Sequence, residues 1–106
     1  MEKRLARAEA AIAALAPTYV GWALADIEKC AEWLAAARAA PDADKSADAV
    51  QALFGVAHNI KGQGSSFGYP LMTQLGASLC RLTRNRGTLA ASDFELIASH
   101  LAAMRL

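Results

Sequence analysis

Cysteine, proline and β-branched residues are scarce in this 106-residue chain, and each scarcity excludes a class of protein. There are two cysteines, Cys30 and Cys80, fifty residues apart and without a CxxC pair. A disulfide-stapled secreted scaffold is therefore excluded, and the pair reads as core thiols of a reducing compartment. Three prolines and few β-branched residues, in a chain that is 55% apolar and dominated by alanine and leucine, argue against a sheet and for an all-helical fold. No window approaches 18 uncharged apolar residues, so no transmembrane helix is expected. The opening MEKRLARAEA is too charged for the apolar core of a signal peptide, and a cytoplasmic location is expected. A formal net charge of +1 leaves no field for gripping a polyanion, so neither nucleic acid nor membrane is an expected partner.

What remains is a chain of one domain, residues 1–106, large enough to bury a core. Apolar periodicity divides it into helices. A first piece over about residues 2–15 sets Leu5, Ala8, Ile12 and Leu15 on one side, and Pro17 is expected to end it and open the next. The second helix, running to about Ala40, repeats Val20, Leu24, Ile27, Ala31 and Leu34, the stripe of a bundle helix, with Trp22 and Trp33 at its flank. PDADK at 41–45 is a loop, after which Asp44 or Ser46 is expected to cap the third helix. That helix has the core stripe Val50, Leu53, Ala57, Ile60 and Gly64.

SSFGYP at 65–70 is a tight turn, with Gly68 suited to a left-handed position and Pro70 to a helix start. The fourth helix shows Leu71 or Met72, then Leu75, Leu79 and Leu82. Gly76 permits close packing, and Arg81, Arg84, Arg86 and Gly87 form an ordinary terminus. Ser92 with Glu95 is expected to form a capping box for a last helix with the stripe Phe94, Ile97, Leu101 and Met104. The expected architecture is an all-α, antiparallel four-helix bundle with an additional N-terminal helix.

Within the third helix, the stretch AHNIKGQGSSFGYP holds two glycines that a helix would not choose, since each costs roughly 0.5 to 1 kcal/mol relative to alanine. At about 100° per residue, His58 points roughly 120° from the stripe centre, to the flank or outward. Phe54, Gly55, Lys61, Gly62 and Ser65 surround it at offsets of three, four and seven. Gly55 and Gly62 would let another macromolecule come down to the imidazole, and Lys61 places a cation beside it. Gly64 lies on the core stripe and allows helices to approach. His100, beside the Leu101 stripe, has nothing evident arranged around it.

Other chemistries fail on spacing. His58, His100, Cys30 and Cys80 include no HxxxH or CxxC pair, so no metal site is expected. Ser65 and Ser66 lie near His58 without an acid to orient the ring, which argues against a hydrolase triad. GQGSS follows a helix and lacks the GK[ST] ending of a phosphate-binding loop.

HNIKGQGSSFG resembles the signature of histidine-containing phosphotransfer (HPt) domains through His58, Ile60, Lys61, Gly62, Phe67 and Gly68. The resemblance implies that His58 accepts a phosphoryl group from a receiver-domain aspartate, of a response regulator or a hybrid histidine kinase, and passes it on. It implies that Lys61 neutralises phosphoryl charge and that Gly62 leaves room for the partner. It further implies a phosphocarrier with no independent turnover and no cofactor of its own, the magnesium ion and catalytic groups coming from the receiver. Two positions depart from the family pattern. Gln63 stands where a smaller residue is common, at the rim of the site. Cys80 stands on the next helix where many members carry a glutamine that reaches the ring, so Ser65 and Gln63 are candidate replacements. A monomer is expected. The competing expectation is a helical adaptor that binds a partner without phosphorylation, through Phe54, Phe67 and Tyr69. A histidine kinase is the less favoured expectation, because these 106 residues leave no room for an ATP-binding domain and His58 lacks the acidic neighbour and downstream proline usual in kinase dimerisation helices.

Overall fold

A computed structural model describes residues 2–84 and 89–105. They form α1 (Glu2–Ala39), α2 (Ala43–Phe67), α3 (Pro70–Thr83) and α4 (Ala91–Met104), with no strand among the described residues. The expected N-terminal helix is present, but it is not separated from the next. The helical backbone runs through Pro17, so α1 is a single 38-residue element. Proline lacks the amide that would bond back four residues, and the intact bonds on either side carry the helix across. The side chains of Ile12 and Leu15, and the expected terminus at Arg86 and Gly87, lie outside the described residues.

Short connections fold the chain back on itself, and side-chain contacts fix the direction of each pair. The Ser46 hydroxyl donates to the Ala37 carbonyl at 3.0 Å, while Tyr19 stacks on Phe67, so α1 and α2 are antiparallel. Gly64 lies against Thr73 and Gly76 against Lys61, which sets α3 antiparallel to α2. Arg38 sits over the Phe94 ring and Arg105 bonds Glu28, closing the ring of helices from α4 back to α1. The core is filled by the α2 stripe Val50, Leu53, Ala57 and Ile60, all buried as expected. Ile27, Cys30 and Leu34 of α1, Leu79 of α3, and Ile97 and Leu101 of α4 complete it.

Three local expectations are corrected, and one open choice is decided. In α1 the buried residue near the start is Tyr19, while Val20 and Leu24 are exposed. Their stripe is apolar, but α4 ends before reaching them. In α3 the choice between Leu71 and Met72 falls on Met72, which is half-buried and packs on the core. The cap of α2 is Asp42, whose carboxylate accepts the Lys45 amide at 2.8 Å, leaving Ser46 free to tie back to Ala37. The Ser92–Glu95 box does not form, because α4 begins two residues earlier, with Ala90 as its N-cap. Asp93 at its third position accepts the Ala90 amide at 2.9 Å instead. By contrast Gly68 sits at φ 77° and Pro70 opens α3, both as expected.

Both cysteines are free and buried. No Cα of α1 lies within 8 Å of one in α3, so Cys30 and Cys80 are too far apart for a disulfide, which needs about 7 Å or less. Burial pushes the Cys30 thiol up to about 12, with Asp26 and Cys80 adding to the shift. At pH 8 its thiolate fraction is then roughly a thousandfold below that of a free cysteine. Alkylation of Cys30 in the folded protein should be slower than of a model thiol by about that factor, and denaturant should remove the difference. Mass spectrometry of iodoacetamide-treated protein reads it.

Candidate functional site

The turn of helix between Phe54 and Ser65 carries the site. Ala57 and Ile60 are buried, and this rotational setting leaves His58 exposed on the α3 side of α2. Gly55 and Gly62 sit further round, and a Cβ built on either meets nothing within 4 Å. The glycines therefore do not serve packing inside the chain. They keep the surface beside the imidazole low and open.

Beneath this surface, α3 is pressed onto α2. A Cβ on Gly76 would stand 2.9 Å from both the Cα and the amide nitrogen of Lys61. That close approach sets the position of the Lys61 backbone, whose side chain is exposed and has no ion pair among the described residues. Cys80, one turn further along α3, is buried. Burial raises its pKa while Lys61, Arg84 and Arg81 lower it, so three cations act on this one corner of the bundle.

The sequence reading missed Arg84, which looked like an ordinary helix-terminal arginine. It is the C-cap of α3, and its guanidinium carbon lies 5.7 Å from the centre of the Phe54 ring. Phe54 in turn lies 6.3 Å, ring centre to ring centre, from His58. A cation is thus held over an aromatic face, one ring away from the imidazole. The available signal was the four-residue spacing from Cys80, which puts Arg84 on the same face of α3.

The remaining candidates separate. Ser65 is exposed, about two turns beyond His58 on the same flank. Gln63 is turned about 140° from His58 around α2. It lines a cleft with Trp22, Asp26 and Lys29 of α1, and its Oε1 is buried with no hydrogen-bond partner among the described residues. The structure does not bring Gln63 to the imidazole. Phe67 and Tyr69 both stack on the buried Tyr19, at 4.9 and 4.7 Å between ring centres, which ties them to α1 rather than to the His58 surface.

His100 is not the idle residue its sequence context suggested. Its Nδ1 is 2.7 Å from the Leu96 carbonyl and its Nε2 is 2.8 Å from the Ser78 hydroxyl, so both ring nitrogens are engaged and α4 is tied to α3. Among the described residues no group of three or more His, Cys, Asp or Glu side chains is placed to hold a metal ion. No described helix is long and apolar enough to cross a membrane.

The bundle and the exposed histidine agree with a comparison made on the sequence. The family model for the Hpt domain matches residues 1–105. No curated protein and no solved structure matches the chain. Hpt domains are phosphocarrier modules that interact with receiver domains in two-component signalling. A match over essentially the whole chain places it among them: this protein belongs to the Hpt domain family.

Proposed function

We propose that His58 is the phosphoryl-carrying residue, taking the group from the aspartate of one receiver domain and handing it to another. In the forward step a ring nitrogen of His58 attacks the phosphorus of the aspartyl phosphate. The new N–P bond forms as the P–O bond to the aspartate breaks, the carboxylate leaves, and the imidazole releases its proton to solvent. The observation that carries this reading is the open space over Gly55 and Gly62 beside an exposed imidazole. Such transfer depends on positioning and charge more than on a local acid–base pair. The receiver would bring the metal ion, and this chain would contribute the nucleophile and the cations Lys61 and Arg84. Phe54, Gly55, Gly62 and Ser65 would meet the partner.

Incubation with a receiver domain carrying labelled aspartyl phosphate tests the proposal. Label should pass to this chain, be lost in acid and persist in base, as a phosphoramidate does. Label that is stable in acid, or no transfer at all, would reject it.

Lys61 should act through charge. An exposed ammonium beside a phosphate in water is worth on the order of 1 kcal/mol, about five- to tenfold in rate, and salt screens it further. Lys61→Ala should slow transfer by about that factor with little change in melting, and Lys61→Arg should keep much of the rate. Normal transfer by the alanine variant would show that the lysine is only a solvated surface residue.

A further inference from the structure

The formal net charge of +1 conceals a segregation of charge. Residues 49–92, which carry most of α2 and all of α3, include no aspartate or glutamate. The ten acids of the chain lie on α1, at the start of α2 and on α4. Within the acid-free stretch Lys61, Arg81 and Arg84 are exposed and have no ion pair among the described residues. Desolvation raises the pKa of the buried Cys80 thiol and all three cations lower it, so they stand around one point of the α2–α3 seam. Asp48, the nearest acid before His58 on α2, is about 15 Å from it along the helix. That is beyond the Debye length of about 8 Å in physiological salt.

The three cations stand at different removes from the imidazole. Lys61 follows His58 by one turn of α2, and Arg84 lies over Phe54, one ring away. Arg81 is further out. Measured around α3 from Gly76, the residue pressed onto Lys61, Cys80 is turned by about 40°, Arg84 by about 80° and Arg81 by about 140°, all in one sense. The contact of Arg84 with Phe54 shows that this sense leads to the His58 side. Arg81 therefore stands on the outer rim of that side, facing what approaches rather than the imidazole. The helix dipole favours cations at the end of α3, and Arg81 and Arg84 meet that demand. The same dipole favours acids at the start of α3, where there are none. Helix stability does not explain a face cleared of negative charge.

We propose that the α2–α3 face is a charge-selective docking surface, on which Arg81 draws in a receiver domain whose surface around the phosphorylated aspartate is rich in carboxylates. The inference rests on the phosphoryl-relay reading of His58 and adds to it the kind of receiver this chain accepts. The open glycine surface admits any receiver alike, so it supplies access without choice. Charge supplies the choice. Rim charges of this kind raise the association rate of a complementary partner, lose their effect in salt and suppress partners of the wrong sign.

The test uses a receiver domain that passes label to the wild type, with second-order transfer rates measured below saturation. The wild-type rate should fall about tenfold between roughly 20 and 200 mM salt. At low salt Arg81→Glu should lower it about tenfold and Arg81→Gln about threefold, and high salt should remove most of the difference. The rate at saturating receiver and the lifetime of the phosphohistidine should not change, because Arg81 meets the partner and not the phosphoryl group. Lys45→Glu makes the same change in net charge at the exposed far end of α2, and should transfer as the wild type does. A receiver given lysines in place of carboxylates around, but not within, its metal site should prefer Arg81→Glu to the wild type. Normal low-salt transfer by Arg81→Glu, equal slowing by Lys45→Glu, or a loss confined to the saturated rate would overturn the proposal while the His58 assignment stands. Failure of every receiver to label the wild type would reject the relay reading, and this one with it.

Discussion

His58→Gln should abolish acquisition of label from a phosphorylated receiver, while His100→Gln should leave labelling intact. The two histidines make an internal control because their surroundings differ in kind. His58 is exposed, with open space over Gly55 and Gly62 and the Phe54 ring 6.3 Å away, centre to centre. An incoming phosphorus can reach its nitrogens. The His100 nitrogens are both occupied, by the Leu96 carbonyl and the Ser78 hydroxyl, so no lone pair faces outward for attack. Glutamine at His58 keeps a polar side chain on an exposed helix position, so the fold should be unaffected. At His100 the cost is structural. Losing the bond across to Ser78 should lower stability by about 1 kcal/mol, visible in melting and not in transfer. Label retained by the His58 variant would show that another residue carries the phosphoryl group.

How much of this was legible in the sequence depended on whether a feature was local. The α2 stripe could be read because each of its residues repeats at helical spacing and the whole helix is covered. Gly68 and Pro70 could be read because a positive φ and a first-turn proline are demands of the backbone itself. His58 could be placed outward by its angle to that stripe. Val20 and Leu24 could not be judged in the same way. They obey the same periodicity as Ile27 and Leu34, and only the length of α4 decides that they stay bare. Arg84 and His100 were opaque for a related reason. Their partners, Phe54 and Ser78, lie thirty and twenty-two residues away, and nothing in the local pattern announces which helix faces land together. Gln63 shows the converse. Adjacent in sequence to Gly62 and so within the motif, it is carried by the helical turn to the α1 side.

Gly76→Ala should be among the most damaging single-methyl changes available in this chain, and Gly62→Ala should be beneficial to the fold. An added Cβ at Gly76 would lie 2.9 Å from the Cα and the nitrogen of Lys61, closer than carbon and nitrogen atoms tolerate. Both obstacles are backbone within a long helix, so no rotamer change relieves them, and α3 must move away from α2. Overpacking of this kind costs about 1 to 3 kcal/mol. Because the obstructed residue is Lys61, the shift should also displace the cation beside His58 and slow transfer. Gly64→Ala meets Thr73 Oγ1 at 2.9 Å and the Thr73 amide nitrogen at 3.0 Å, and should likewise destabilise. The hydroxyl can rotate aside, so the loss should be smaller than at Gly76. At Gly62 the added methyl meets nothing, and replacing a mid-helix glycine should stabilise by a few tenths to about 1 kcal/mol. The same methyl would stand on the surface a receiver must approach, so transfer should slow as melting rises. Thermal denaturation and transfer rates on the three variants separate these effects. If Gly62→Ala weakens the fold and transfers normally, the open glycine surface does not exist for a partner.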